Sequence, residues 1–386
     1  MNLNIRPDIA SLEESQIVEV WRMGFDIPDV IGMWVGQGDL PTPRFICDAA
    51  SRALAAGDTF YTHKRGIPAL RQALIDYHRD LYGVEIADSR IAITSSGMNA
   101  MVLIVQTLVS AGDNVVCVTP VWPNIFAAIQ IQGGIARHVP MAGTDHGWEL
   151  DLDRVFAACD DRTRAIYLAS PGNPTGWVMP EEQRRAVLDF ARQRGIALIA
   201  DEVYNRLIYD RRVAPSFLEI AQPDDPLFVV NSFSKTWAMT GWRIGWMIMP
   251  QGLTDQVDRL IEFNTSGGQS FLQAGCIAAI REGEPWVEWM VERCKRGRDL
   301  VVARLNAMNR VSVIPANASY YLMLRVEEMG DPVAFCKRLV REARIGLAPG
   351  TAFGAGGEHY LRLCYAQGEE RLGEAMDRLQ AFLGKA

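Results

Sequence analysis

Three polar stretches of the 386-residue chain stand directly after short apolar runs. Ser170-Pro171-Gly172-Asn173-Pro174-Thr175-Gly176 follows Ile166–Ala169, Asp201-Glu202-Val203-Tyr204 follows Ala197–Ala200, and Asn231-Ser232-Phe233-Ser234-Lys235 closes the run that begins at Leu227. If those runs are neighbouring strands of a parallel sheet, an amide, a carboxylate and a primary amine reach one edge, where ligands of such sheets bind. An amine beside a carboxylate is equipment for nucleophilic or proton-transfer chemistry. Each group alone has a plainer use. Asn-Pro and Thr-Gly form turns, an Asp after a strand caps a helix, and a lysine is ordinarily a solvated surface charge. The joint order and spacing argue for a site.

The elements that must position these groups are legible from about Arg90 to about Pro250, where β-rich apolar runs alternate with helical stretches. That alternation predicts a mainly parallel sheet covered by helices, an α/β fold. The expected strands are Ile91–Thr94, Val115–Val118, Ile166–Ala169, Ala197–Ala200, Leu227–Asn231 and Ile244–Ile248. Glu181 to Arg194 carries acids first and bases last, with Gly195 as a stop, and reads as a crossover helix. Beyond Pro285 a long amphipathic segment, Trp286 to about Met308, leads to short strands near Val311–Ile314 and Tyr320–Leu324 and a helix near Pro332–Ala343. We therefore expect an N-terminal arm, residues 1–44, packing with a smaller C-terminal α+β domain, residues 285–386, beside a large domain, residues 45–284.

Bulk properties narrow the function classes. A net charge of -7 without a Lys/Arg block argues against a nucleic-acid or phospholipid surface. The start of the chain has no signal-peptide pattern, and the most apolar stretch, Met101 to Val109, is too short to span a bilayer, so we expect a cytoplasmic protein with small-molecule partners. Seven scattered cysteines without a Cys-x-x-Cys pair and five unclustered histidines suggest neither a disulfide framework nor a metal site.

Taken together, Tyr61, Ser96-Gly97, Trp122, Asn173-Pro174-x-Gly176, Asp201-x-x-Tyr204, Ser232-x-Ser234-Lys235, Gly241-x-Arg243 and Arg362 make the sequence resemble the fold-type I pyridoxal-5′-phosphate (PLP) enzymes, specifically the class I/II aminotransferases. These residues run nearly the whole length of the chain. The resemblance implies that Lys235 holds the cofactor as a Schiff base and, once freed, moves the proton at the substrate Cα. It implies that Asp201 keeps the pyridine nitrogen protonated, that Asn173 and Tyr204 hydrogen-bond the phenolic oxygen, and that Trp122 stacks on the ring. Ser96, Gly97 and Met98 at a helix start, with Ser232, Ser234 and Arg243, would bind the phosphate. Gly97 would allow close backbone approach. Arg362 would grip the substrate α-carboxylate with two parallel hydrogen bonds, and the Gly36 amide of the arm would meet the same group. Tyr61 would reach the phosphate of a neighbouring subunit, which implies a homodimer with shared sites. The implied substrates are an amino acid and a 2-oxo acid, handled in two half-reactions.

Four positions depart from the pattern. Ile125 stands where some aspartate aminotransferases have a histidine behind the pyridine aspartate, so Asp201 must be oriented otherwise. Met98 stands where certain bacterial aspartate enzymes have a lysine, and Gln37-Gly38 replaces Glu-Pro after Gly36. If Trp34, Met98 and Trp122 line the side-chain pocket, neutral or aromatic amino acids are favoured over aspartate. A PLP-dependent C–S β-lyase would keep the same lysine, aspartate and arginine. A PLP-binding transcription regulator needs a DNA-binding domain, for which the arm holds no helix-turn-helix pattern. A catalytically dead homologue would not need the full set of polar residues.

Overall fold

The computed structural model describes residues 3–384. Met1, Asn2, Lys385 and Ala386, the outermost residues of the expected arm and C-terminal domain, lie outside the described residues.

Seven strands form the central sheet in the spatial order Ile91–Thr94, Gly245–Ile248, Leu227–Ser232, Ala197–Asp201, Thr163–Ala169, Asn114–Thr119, Ile135–Pro140. The five from Leu227–Ser232 to Ile135–Pro140 pair in parallel, whereas Gly245–Ile248 runs antiparallel to both neighbours. Parallel neighbours need crossovers. The helices Asn124–Ile131 and Glu181–Arg194 join paired parallel strands, the second ending at Gly195 in the left-handed conformation a glycine tolerates, while Gly97–Leu108 carries the chain from the edge strand Ile91–Thr94 across to Asn114–Thr119. Apolar clusters cover both faces of the sheet, which is why its inner strands read as continuous apolar runs.

The reversed direction of Gly245–Ile248 matters for the site. A parallel strand delivers the residues after it to the carboxyl edge, and an antiparallel strand delivers the residues before it. Gly245 pairs with Ser232 and Thr94 at that edge, so Arg243 arrives there too.

A second, four-stranded antiparallel sheet has the order Val311–Ile314, Tyr321–Val326, Leu361–Cys364, Ala348–Pro349. The 23-residue helix Glu284–Asn306 and the helix Glu369–Leu383 pack beside it. The N-terminal segment joins this part of the molecule: Ile31–Gly32 pairs in parallel with Ile345–Gly346, and Val20, Met33 and Trp34 enter its apolar core. The expected helix near Pro332–Ala343 is α-helical only to Arg338 and continues as a π turn, Leu339–Ala343, before the strand that receives the arm. No described helix is long and apolar enough to cross a membrane.

Candidate active site

At the carboxyl edge of the central sheet lies a cavity of about 540 Å3. Its wall includes Gly36, Gly97, Met98, Trp122, Asn173, Asp201, Tyr204, Ser232, Ser234, Lys235, Arg243 and Arg362. These residues span 327 positions of sequence, and strand ends bring them together. Ser96 and Tyr61 do not line the cavity. The Ser96 hydroxyl accepts the Asn99 N–H at 3.1 Å as the cap of the helix Gly97–Leu108, and its φ of 114° is a rare conformation for a side-chain-bearing residue. Tyr61 is 92% exposed, in a surface groove formed with Thr265 to Phe271.

Lys235 donates from Nζ to the Gly36 carbonyl at 2.7 Å, so the arm closes directly over the amine. Burial, helped by the positive charges of Arg362 and Arg243, lowers its pKa from 10.5 to about 8. An amine so poised is readily neutral, as a nucleophile or base requires. Gly36 must be a glycine: a Cβ there would stand 2.1 Å from the Tyr321 hydroxyl. Its carbonyl also accepts from the Tyr320 hydroxyl at 3.0 Å.

Asp201 ends its strand 5% exposed. Its Oδ1 accepts the Val203 N–H at 3.2 Å and its Oδ2 accepts the Tyr167 hydroxyl at 3.1 Å. Burial pushes its pKa up to about 6 against the opposing effect of those bonds. Ile125 is fully buried and apolar, and the Tyr167 hydroxyl is the one side-chain donor that reaches Asp201 among the described residues. Tyr204 shares a 2.7 Å hydroxyl contact with Tyr321, and burial raises its pKa well above the ordinary value, so the phenol stays protonated.

Arg362 is 2% exposed. It donates to Asn173 Oδ1 at 3.1 Å and to the Trp34 carbonyl, and its guanidinium lies over the rings of Tyr321 and Phe353 at 4.6 and 4.8 Å. Its Nε is a buried donor without a partner, and among the described residues no carboxylate pairs with it. A buried cation in that state calls for an anionic ligand. At the rim, exposed Arg243 bonds the Thr240 carbonyl at 2.7 Å.

One expectation needs correction. Trp34 does not line the cavity; its ring fills a cradle of Gly24, Gly32 and Gly346, where added Cβ atoms would fall 2.6, 2.8 and 1.9 Å from it. The apolar wall is instead Met98 and Trp122 together with Ile17, Val18 and Trp21 of the helix Gln16–Asp26, and Val35 and Met101. Gly245 packs tightly against the start of the helix at Gly97. A Cβ on Gly245 would come within 2.5 Å of the Gly97 nitrogen, while one on Gly97 would meet no protein atom closer than 3.4 Å.

Sequence reasoning missed Tyr167, Tyr321 and Trp21. The available signals were an aromatic inside an otherwise aliphatic strand, a Tyr-Tyr pair, and an amphipathic helix in the arm.

The profile of the family described as aminotransferase class I and II matches residues 28–379. The chain belongs to that family. It is 31% identical over 375 residues to an aspartate aminotransferase of Pyrococcus horikoshii, covering 96% of this chain and 95% of that protein. It is 30% identical over 373 residues to aromatic-amino-acid aminotransferase 2 of Thermococcus litoralis, covering 96% and 95%. The solved structure of a single mutant of Thermus thermophilus aspartate aminotransferase superposes with a TM-score of 0.91 at 28% identity, covering 98% of this chain and all of that one. This aminotransferase chain accordingly has the fold-type I architecture, and class I and II aminotransferases use PLP.

The residues present fit that cofactor. The start of the twelve-residue helix Gly97–Leu108, Ser232, Ser234 and Arg243 offer donors and positive charge suited to a phosphate. Asp201 could face a ring nitrogen, Trp122 could cover a ring, and the vacant Arg362 Nε could take a substrate carboxylate.

Proposed function

We propose that this aminotransferase takes its amino group from neutral or aromatic L-amino acids, in a cavity where Lys235, Asp201 and Arg362 serve as base, ring-nitrogen partner and carboxylate grip. The convergence of those three buried groups in one cavity carries the reading. When bound, PLP supplies an electron sink for the electrons of the broken Cα–H bond. Lys235 anchors the cofactor through Nζ and, once free, carries the proton away from Cα; its lowered pKa suits that task. Asp201 holds the ring nitrogen protonated. Asn173 and Tyr204 donate to the phenolic oxygen, and Trp122 covers the ring. Ser232, Ser234, Arg243 and the backbone N–H groups of Gly97 and Met98 hold the phosphate, and Ser96, whose own N–H goes to the Thr94 carbonyl, caps the helix that presents them. Arg362 orients the donor through its α-carboxylate, and the arm at Gly36 closes water out.

The donor class follows from charge. Lys235, Arg243 and Arg362 are the cations of the cavity wall among the described residues, and all three are already assigned. A side-chain carboxylate such as that of aspartate finds no partner within the subunit, while Ile17, Val18, Trp21, Met98 and Trp122 offer apolar surface. Relatives named for aspartate and for aromatic amino acids stand at nearly equal identity, so names do not choose between them. Steady-state rates across a panel of amino donors test the proposal. We expect kcat/KM for aromatic or large neutral donors to exceed that for aspartate by at least about tenfold; a dominant preference for aspartate contradicts it.

The proposal extends to the whole protein. The arm (1–44), large domain (45–284) and C-terminal domain (285–386) act as units, with the arm docked on the last. Two chains form a homodimer in which exposed Tyr61 of one reaches the phosphate end of the other's site. All seven cysteines are free thiols, in keeping with a cytoplasmic, reducing location.

A further inference from the structure

Tyr167 stands on the strand Thr163–Ala169, two residues before Ala169, which pairs across the ladder with Asp201. Side chains alternate along a strand, so Tyr167 and Ala169 share a face. The Tyr167 ring is fully buried, and its hydroxyl reaches Asp201 Oδ2 at 3.1 Å.

We propose that Tyr167 is the positioning residue that fixes both the direction and the charge of Asp201. The inference rests on the reading of Asp201 as the partner of the ring nitrogen. Two donors among the described residues reach the carboxylate, and they act differently. The Val203 N–H, two residues along the same chain, makes a local turn with Oδ1 and leaves the second oxygen free to swing. The Tyr167 hydroxyl comes from the neighbouring strand and pins Oδ2 to the sheet.

The direction of this bond is fixed. Burial and the adjacent Asp201 charge raise the Tyr167 pKa well above 10, so the phenol keeps its proton and always donates. Tyr167 is the sole side-chain donor to Asp201 among the described residues, since the helix Asn124–Ile131 presents fully buried Ile125 on this face of the sheet. The other ionisable groups around the pair are Lys235, whose charge favours the ionised aspartate, and Cys117 beside Tyr167 on the next strand. Without the hydroxyl, a phenylalanine would fill the same volume and leave Oδ2 as a buried acceptor lacking its bond.

The test titrates the Asp201 carboxyl in the full-length, cofactor-free chain by carbon-13 NMR, assigning the signal by its loss in Asp201→Asn. Tyr167→Phe should raise the Asp201 pKa by about one to two units. It should also weaken PLP binding by about tenfold at neutral pH and move the pH dependence of binding upward by the same shift. Replacing Tyr167 with 3-fluorotyrosine keeps the shape and strengthens the donor, so the Asp201 pKa should move down. A role confined to packing cannot produce opposite shifts from these two replacements. An Asp201 titration that stays put in both overturns the proposal. Unchanged PLP affinity in Asp201→Asn would instead overturn the reading of Asp201 on which it rests.

Discussion

Burial carries the Asp201 carboxyl from an ordinary pKa of 3.8 up to about 6, and this has a sign that can be worked out. Between those values the folded chain holds the proton more tightly than the unfolded chain. Stability therefore falls as pH rises through about 4 to 6, and the cost of the buried charge is fully present above that window. Cofactor-free Asp201→Asn should be more stable than the parent at pH 8 by on the order of 2 kcal/mol, with the advantage shrinking toward pH 4. Denaturant unfolding at a series of pH values checks this; a pH-independent difference contradicts it. Lys235, Asp201 and Asn173 were legible in sequence because each is a reactive residue type at a strand end, whereas Arg362, inside the strand Leu361–Cys364, was legible only through the family resemblance. Tyr167 and Tyr321 were not. Each acts by meeting a partner 34 and 117 positions away, and local spacing holds no record of such a meeting.

At the scale of elements, the inner strands were readable because strands buried on both faces are uniformly apolar. The edge strand Ile135–Pro140 was missed because Arg137 and His138 interrupt its apolar pattern, as edge strands tolerate. The reversal of Gly245–Ile248 was also hidden, since direction lies in pairing rather than composition. The arm was expected to pack with the C-terminal part, but the device that seats it is visible only in space. Gly346 lies in the strand paired with the arm, against the Trp34 ring, and the Trp34 carbonyl accepts from Arg362. Gly346→Ala would push a methyl group into that ring. We expect a loss of about 1–3 kcal/mol of stability and a rise in donor KM larger than the fall in kcat, because the carboxylate grip shifts with the arm. An unaltered KM in a folded variant contradicts this link.

Across the whole molecule, the surface around Tyr61 gathers large exposed aromatic side chains. Phe60, Tyr61 and Phe263 are 83%, 92% and 84% exposed, close to a groove of Thr59 to Thr62 and Thr265 to Phe271. Large exposed aromatics in one region mark a contact surface, which the proposed dimer would bury. Shared sites make a sharp prediction for mixed dimers. Lys235→Ala and Tyr61→Ala chains, each impaired alone, should regain activity when unfolded together and reassembled, since one site of each hybrid then has both residues intact. No recovery in verified hybrids contradicts sharing through Tyr61. The chain has five lysines, Lys64, Lys235, Lys295, Lys337 and Lys385. Reducing the PLP-loaded protein with borohydride, digesting it and locating the pyridoxyl group by mass spectrometry separates them. We expect the group on Lys235 alone, and its absence, with visible absorbance lost, in Lys235→Ala; a pyridoxyl group on any other lysine at equal yield overturns the assignment of Lys235.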